Sequence, residues 1–202
     1  MKTVYLIRHG ETEYNSEHKL QGTVDTMLSE IGKQQALHLA QRMQDVALKQ
    51  IFCSNLARTK QTAEPLAQAK GLPIIEIPAL REVSFGIWES VPFKIIQEKY
   101  PKELHDFFHS PLNFKIPGCE PFADAQKRGW QAVQDIIKQQ ENDTSIAIVT
   151  HGGILRTIFC ALLHMDLNAM WEINFYNTAV SCIYEQKPGD YYVKYINNIE
   201  KL

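Results

Sequence analysis

Two apolar segments that each lead into a histidine and a glycine constrain the possible folds of this chain most. Residues 3–8 and 145–150 consist largely of β-branched and apolar residues, and His9 and His151 follow them directly, each before a glycine. Buried strands of this composition are typical of parallel sheets, in which helices cover both faces. Such sheets bind ligands beyond the carboxyl ends of their strands. We therefore expect both histidines at one edge of the sheet.

The spacing of apolar residues predicts the other elements in an alternating order. Ser29 is the expected N-cap of one helix, and Gly71 is the expected stop of the next. Strands that alternate with helices predict an α/β fold, a three-layer sandwich with a mostly parallel central sheet and helices on both faces. The predicted helices cover about residues 30–46, 56–70, 125–140 and 152–163, and the further strands cover 50–54, 74–77, 179–185 and 191–195.

The length of 202 residues fits one domain, so we expect residues 1–202 to form a single unit. Residues 83–123 differ from the rest because they contain five prolines, six phenylalanines and one tryptophan. We expect this segment to be an inserted cap of loops and two short helices, at about 92–100 and 102–109. Its aromatic side chains form either the core of the cap or a platform for substrate, and the first use is the commoner one.

The composition bears on partners and location. A net charge of −2 gives no electrostatic reason to expect nucleic acid or an anionic membrane as the main partner. No signal peptide is apparent, and no apolar run approaches the ~18 residues that a membrane-spanning helix requires. The four cysteines include no C-x-x-C pair, which favours reduced side chains. We expect a cytoplasmic protein that acts on a small molecule, and nothing in the sequence indicates its oligomeric state.

The candidate site consists of polar residues at the predicted carboxyl ends of strands. Arg8 and His9 end the first strand, and His151 begins a helix whose N-terminal amides favour an anion. Arg58 lies in the first turn of a helix that follows a strand, and Glu82 follows residues 74–77 by a short link. Guanidinium groups match phosphate oxygens in a bidentate way that lysine cannot. This pattern indicates a phosphate site with an imidazole nucleophile, whereas Glu82 taken alone would be a solvated charge.

Other polar residues are assigned structural or surface positions. His105 and His109 have the i, i+4 spacing of two metal ligands, but the glutamate of the H-E-x-x-H motif is missing, so we expect exposed residues and no metal. Glu89 is the acidic residue that competes with Glu82 for a place in the site. It follows Phe85 and Trp88, and this position assigns it to the cap. Arg81 is expected to be a structural ion-pair partner.

Five ordered blocks of the sequence resemble the histidine phosphatase superfamily, the phosphoglycerate mutase-like proteins. One R-H-G motif would be a weak match, whereas five blocks in order over nearly the whole chain are very specific. The sequence departs from the family pattern in the cap, where Ser90 follows Glu89 and Pro121 stands in place of a serine. These departures leave the expected catalytic residues intact. The blocks are residues 8–12 with Asn15, 20–22 with Asp25, 54–63, 80–89 and 150–153.

The resemblance implies a role for each residue of the candidate site. His9 is the residue that becomes phosphorylated, and Glu82 donates and accepts the proton. Arg8, Arg58 and His151 bind the transferring phosphoryl group. Neither a metal nor a cofactor is expected, since cationic side chains supply the charge that Mg²⁺ supplies elsewhere. The resemblance also places four residues at the phosphate or the substrate: Asn15, Gln21, Gly22 and Gly152.

Three functions stay open at this level. The first is a metal-independent phosphomonoesterase for a small phosphorylated metabolite, in the small-phosphatase branch that includes α-ribazole phosphatase. The second is a cofactor-dependent phosphoglycerate mutase, which would need further basic residues in the cap; residues 83–123 contain four lysines and no arginine. The third is a non-catalytic protein that binds a phosphorylated ligand. Since no expected core residue is missing, the phosphatase is the preferred hypothesis.

Overall fold

A computed structural model describes all of residues 1–202. Its centre is one six-stranded sheet with the order β3-β2-β4-β1-β5-β6. The strands are β1 Lys2–Arg8, β2 Gln50–Cys53, β3 Ile74–Glu76, β4 Ser145–Thr150, β5 Val180–Lys187 and β6 Asp190–Asn198. The α-helices are α1 Glu13–Ser16, α2 Glu30–Arg42, α3 Ala57–Lys70, α4 Phe93–Lys99, α5 Pro101–His109, α6 Phe122–Lys138 and α7 Gly152–Leu162.

The predicted α/β sandwich is confirmed. Strand β1 runs parallel to β4, and β4 and β3 each run parallel to β2. The last two strands are antiparallel: β5 pairs with β1, and β6 pairs with β5. This arrangement places the carboxyl ends of β1, β2 and β4 side by side, which is where ligands bind in such sheets.

Two hydrophobic clusters cover the two faces of the sheet. Val4 and Leu6 of β1 belong to the larger cluster, which also includes apolar residues of α6 and α7. Ile7 belongs to the smaller cluster, which includes residues of α2 and α3. Because successive side chains of a strand point to opposite faces, this division makes three layers, α2–α3, the sheet and α6–α7.

Most predicted elements are confirmed, with shifted ends. Ser29 caps α2 through a hydrogen bond from the Gly32 N–H, and Gly71 ends α3 in the left-handed conformation, with φ of 64°. Helix α6 begins at Phe122, three residues earlier than predicted, because Pro121 provides the fixed φ that suits a helix start. The short α1 and three 3₁₀ turns, Pro78–Leu80, Gly86–Trp88 and Leu167–Glu172, were not predicted.

The aromatic side chains of residues 83–123 pack mainly against one another. Trp88, Phe107 and Phe114 are almost fully buried, with ring centroids 5.0–5.7 Å apart. They belong to the larger hydrophobic cluster, which includes residues of α6 and α7. These three rings therefore serve as core, and the inserted cap itself stays a prediction. All four cysteines are free, and none of the helices has the length and apolar character that crossing a membrane requires.

Candidate active site

The two histidines meet at the carboxyl ends of adjacent parallel strands. Arg8 of β1 pairs in register with Thr150 of β4, so the residue after each strand faces the other. The ring centroids of His9 and His151 are 5.2 Å apart. The chain thus brings together two imidazoles from positions 142 residues apart, as the sequence predicts.

His9 is held as a neutral imidazole with one free nitrogen. Its Nδ1 lies 2.7 Å from the Gly10 carbonyl oxygen. A carbonyl only accepts, so Nδ1 donates the proton and Nε2 carries the lone pair. The side chain is 3% exposed. This burial, followed by the charges of Arg58 and Arg8, lowers the pKa of His9 well below its usual 6.5. A neutral ring with a free Nε2 is the form that attacks phosphorus.

Close backbone contacts fix the loop after His9. The Gly10 N–H donates to Thr62 Oγ1 at 2.9 Å, and this hydroxyl donates to the Arg58 carbonyl at 2.6 Å. A side chain at Gly10 would place its Cβ 2.8 Å from the Gly32 carbonyl oxygen, so only glycine fits there. Thr62 therefore joins the nucleophile loop to the helix of Arg58, a positioning contact that the sequence did not reveal.

Arg58 is fully buried and has a partner for each nitrogen. Its Nη1 and Nη2 donate to the carbonyls of Val24 and Gly22, both at 2.8 Å, and its Nε donates to His151 Nδ1 at 3.2 Å. Burial lowers the pKa of Arg58 to about 10, which leaves it charged at neutral pH. The guanidinium is thus fixed, with its unused N–H groups available to an anion.

His151 was predicted to bind the phosphoryl group, but both of its ring nitrogens bond to protein side chains. Because its Nδ1 accepts from Arg58, its Nε2 carries the proton and donates to Ser54 Oγ at 2.6 Å. Burial, followed by the charge of Arg58, lowers the pKa of His151 well below its usual range. Both ring nitrogens are therefore engaged by protein, and His151 does not line the cavity beside His9.

Glu82 lies at the N-terminus of α7. Its Oε1 accepts from the Ile154 N–H at 2.8 Å, and its Oε2 accepts from the Gly153 N–H at 2.9 Å. A Cβ at Gly153 would lie 2.7 Å from Oε1, so the absence of a side chain lets the carboxylate reach the helix end. The side chain is 8% exposed and lines the cavity. The amides of α7 thus fix the expected acid next to the expected nucleophile.

Arg128, which the sequence did not single out, holds the backbone that carries Glu82. It donates to the carbonyls of Arg81 and Glu82 at 2.8 and 3.0 Å, and it pairs with Glu120 through two hydrogen bonds of 2.6 and 2.7 Å. The predicted ion pair of Arg81 is wrong. Its side chain is exposed and unpaired, because its carbonyl faces the protein and accepts from Arg128.

The expected substrate residues all line one cavity of about 130 Å³. Asn15 Oδ1 accepts from the Thr12 N–H at 3.1 Å, and Gln21 Oε1 accepts from Thr26 Oγ1 at 2.7 Å. Each amide oxygen is thus engaged inside the protein, so the amide N–H groups are left to bind a ligand. Gly22 and Gly152 lie in the same wall, with Arg8, His9, Arg58 and Glu82.

Glu89 and the cap histidines lie outside this cavity. Glu89 Oε1 accepts from the backbone N–H groups of Thr23 and Phe85 at 2.9 and 3.0 Å, and so ties the loop of Gly22 to the cap. Glu89 therefore acts as a structural link, and its assignment to a cap stays a prediction. His105 and His109 are exposed on α5.

The geometry agrees with comparisons to known proteins. A model of the histidine phosphatase superfamily (branch 1) matches residues 4–199. The chain belongs to the histidine phosphatase superfamily. Phosphoserine phosphatase 1 of Hydrogenobacter thermophilus is 33% identical over 187 residues, which cover 93% of this chain and 88% of that protein. The probable phosphoglycerate mutase GpmB of Erwinia tasmaniensis is 33% identical, with 93% and 87% covered. The structure of Bacillus stearothermophilus YhfR has a TM-score of 0.94 and 33% identity, with 100% and 99% covered.

In this member of the superfamily, the lining of the cavity includes two cationic side chains that were not predicted from the sequence. Lys19 pairs with Glu17, and Arg156 lies one turn after Gly152 on α7. Burial, followed by the nearby charge of Arg156, lowers the pKa of Arg8 to about 10. The sequence held one signal for Arg156. It follows Gly152 by four residues, and residues four apart share a helix face, so both lie at the cavity. Three apolar residues complete the lining: Leu20, Phe85 and Trp171.

Proposed function

We propose that this protein is a metal-independent phosphomonoesterase that hydrolyses a small phosphorylated metabolite through a phosphohistidine at His9. One observation carries the proposal: a buried, neutral His9 presents a free Nε2 to a cavity lined by Arg8, Arg58 and Glu82. Membership of the histidine phosphatase superfamily supports it. Phosphoryl transfer needs positioning and charge stabilisation above all, and these residues are placed to supply both.

In the first step, Nε2 of His9 attacks phosphorus in line with the ester oxygen. The N–P bond forms as the P–O bond to the leaving group breaks. Arg8 and Arg58 donate to the equatorial oxygens, where negative charge is held. Protonated Glu82 gives its proton to the leaving oxygen, which departs as an alcohol. The Gly10 carbonyl keeps its hydrogen bond from Nδ1 and so stabilises the positive charge on the phosphorylated ring.

In the second step, water hydrolyses the phosphohistidine. Glu82, now a carboxylate, takes a proton from the water as its oxygen bonds to phosphorus. The P–N bond breaks, inorganic phosphate leaves, and His9 and Glu82 return to their starting protonation states. Both steps use Glu82 on the same side of the phosphorus, because the water occupies the position that the leaving alcohol vacates.

The remaining residues of the site either bind phosphate or substrate oxygens or hold Arg58 in position. We propose that His151 belongs to the phosphoryl clamp by orienting Arg58, to which it is bonded at 3.2 Å. The free amide N–H groups of Asn15 and Gln21 bind phosphate or substrate oxygens, and the Gly152 N–H does the same from the start of α7. Gly22 contributes its carbonyl, which holds Arg58 at 2.8 Å.

The size of the cavity supports a small substrate. Its volume is about 130 Å³, well below the roughly 300–1,000 Å³ of pockets for drug-sized ligands. Phosphoserine phosphatase 1, by its name, acts on a compound of the size that this cavity suits. We further propose that residues 1–202 act as one domain, with residues 83–123 as its cap, and that the protein acts in the cytoplasm.

A phosphoglycerate mutase is the second candidate, because a relative at 33% identity is named a probable phosphoglycerate mutase. A mutase must retain a phosphohistidine against water, and it must hold a second anionic group of its substrate. Incubation with 3-phosphoglycerate, followed by phosphorus NMR, separates the two functions. We expect inorganic phosphate to accumulate; accumulation of 2-phosphoglycerate without phosphate would establish the mutase instead.

Hydrolysis of p-nitrophenyl phosphate in excess EDTA tests the proposed reaction. The purified full chain should release nitrophenol at the same rate with and without the chelator, because no step needs a metal. Activity that EDTA abolishes and Mg²⁺ restores would overturn the metal-independent mechanism. Complete absence of hydrolysis, with this ester and with phosphoserine, would overturn the function itself.

A further inference from the structure

Arg156 is a cation of the cavity that the proposed mechanism does not use. Its Nη1 donates to the Gly152 carbonyl and its Nη2 donates to Asn174 Oδ1, each at 3.0 Å. Its Nε is buried and has no hydrogen-bond partner. A guanidinium has five N–H groups, so these two bonds leave three unused. Buried donors without partners are rare, and Arg156 lines the cavity that holds the substrate.

Trp171 fixes the orientation of this guanidinium. The Arg156 Cζ lies 5.0 Å from the centroid of the Trp171 ring, in a cation–π contact. The indole is itself held, because its Nε1 donates to the Phe107 carbonyl at 2.6 Å and its ring packs 4.5 Å from that of Phe107. Arg156 is therefore a preorganised charge on a rigid wall, and an anion that meets it pays little ordering entropy.

In the proposed first step the charges of the cavity leave Arg156 without a counter-ion, because Glu82, whose charge otherwise acts on Arg156, then carries a proton. The Lys19 ammonium is paired with Glu17, whereas the guanidinium groups of Arg8, Arg58 and Arg156 have no acidic ion-pair partner. In the first step Glu82 is protonated, so three positive charges face a phosphate of about −2. One positive charge is left over, and Arg156 is half-buried, so an unpaired ion there is only partly solvated.

We infer that Arg156, held on Trp171, binds a carboxylate of the substrate, so that the enzyme prefers phosphate esters of small hydroxy acids. This inference rests on the proposed phosphomonoesterase function. A carboxylate has the single charge that balances the surplus, and its two oxygens match the guanidinium fork. Arg156 and the amides that hold Glu82 share the first turns of α7. The inference therefore places the carboxylate near Glu82, whose charge acts on Arg156.

Two esters that differ only in this group test the inference. In 3-phosphoglycerate a carboxylate stands where glycerol 3-phosphate has a hydroxymethyl group. The wild-type chain should hydrolyse the acid with a kcat/KM about 10- to 100-fold higher, as a charge-assisted pair predicts. Arg156→Met should reduce this ratio to near one, and Arg156→Lys should restore part of it. The ratio is the measured quantity, because a misfolded variant would lose both activities together.

Lys19→Met is the matched control, since Lys19 is the other unassigned cation at the cavity. It should keep the wild-type ratio. The assignment is overturned if Lys19→Met, rather than Arg156→Met, removes the preference. It is also overturned if the wild-type chain does not prefer the acid, or if Arg156→Met lowers both activities equally. Failure of the proposed function looks different, because the wild-type chain would then hydrolyse neither ester nor p-nitrophenyl phosphate.

Discussion

In the proposed mechanism the cavity has a phosphoryl half and a leaving-group half, and the two are built differently. The phosphoryl half consists of His9, Arg58 and Gly152, which stand at the ends of regular strands and the starts of helices. The leaving-group half contains Phe85 and Trp171, which come from short 3₁₀ segments or their flanks. Regular elements hold the chemistry that the family shares, and irregular segments form the part of the cavity that selects a substrate.

The strongest test of the phosphoryl half is His9→Ala. Removal of the nucleophile should lower kcat for every substrate by about 10⁵-fold or more, because no other group can form the phosphoenzyme. The measurement is phosphate release from p-nitrophenyl phosphate and from phosphoserine. Since His9 is 3% exposed, circular dichroism should first establish that the variant is folded. A variant that is folded and retains a tenth of the activity would contradict the assignment.

Glu82→Gln separates the two halves, because its effect depends on the leaving group. With an alkyl phosphate, loss of general acid catalysis should cost about 10²–10⁴-fold in kcat, or about 3–5 kcal/mol. With p-nitrophenyl phosphate the loss should be much smaller, since nitrophenolate barely needs a proton. Equal losses with both substrates would show that Glu82 is not the acid.

Arg128→Met tests the connection between the halves. The change leaves the carbonyls of Arg81 and Glu82 and the carboxylate of Glu120 without their donor. We expect the free energy of unfolding to fall by about 2–4 kcal/mol, which urea denaturation measures. Arg81→Met is the matched control: its side chain is exposed and unpaired, so its effect should stay within about 0.5 kcal/mol. Similar losses in the two variants would contradict the role of Arg128.

The pH dependence of stability tests the buried imidazoles. The pKa values of His9 and His151 are lowered in the folded state, mainly by burial. Below pH 6.5 the unfolded chain therefore binds protons that the folded chain does not, so stability is lost as the pH falls below about 6.5. Each histidine should contribute up to about 1.4 kcal/mol per pH unit. Urea denaturation at several pH values measures this change of the unfolding free energy with pH. His9→Gln should remove the contribution of His9. An unchanged slope in this variant would contradict the neutral state of His9.

The phosphoryl half was predictable because its signals are local. An apolar strand followed by histidine and glycine is visible in a few residues, and parallel pairing of two such strands dictates that the histidines meet. The bonding of His151 was not predictable, because it depends on how the side chains of Ser54 and Arg58 are oriented, which no local pattern encodes. The sequence therefore indicated which imidazoles converge but not which nitrogen each presents.

The leaving-group half was not predictable for a related reason. Arg156 matters because Trp171, from a 3₁₀ segment that no periodicity indicated, supplies the surface on which it lies. Likewise, Arg81 is adjacent to Glu82 in sequence, yet the ion pair and the backbone contacts belong to Arg128 from α6. Proximity in sequence suggested Arg81, whereas the packing of α6 places Arg128 against the backbone of Glu82.

Trapping of the phosphoenzyme tests the central claim most directly. The full chain should be mixed briefly with phosphoserine and stopped in denaturing alkali, in which the phosphorus–nitrogen bond survives, and the peptide that contains residues 3–15 should be analysed by mass spectrometry. The account predicts one phosphate on His9, formed during turnover and absent from Thr12 and Tyr14. Steady hydrolysis without phosphate on His9, or with phosphate on another residue, would contradict it.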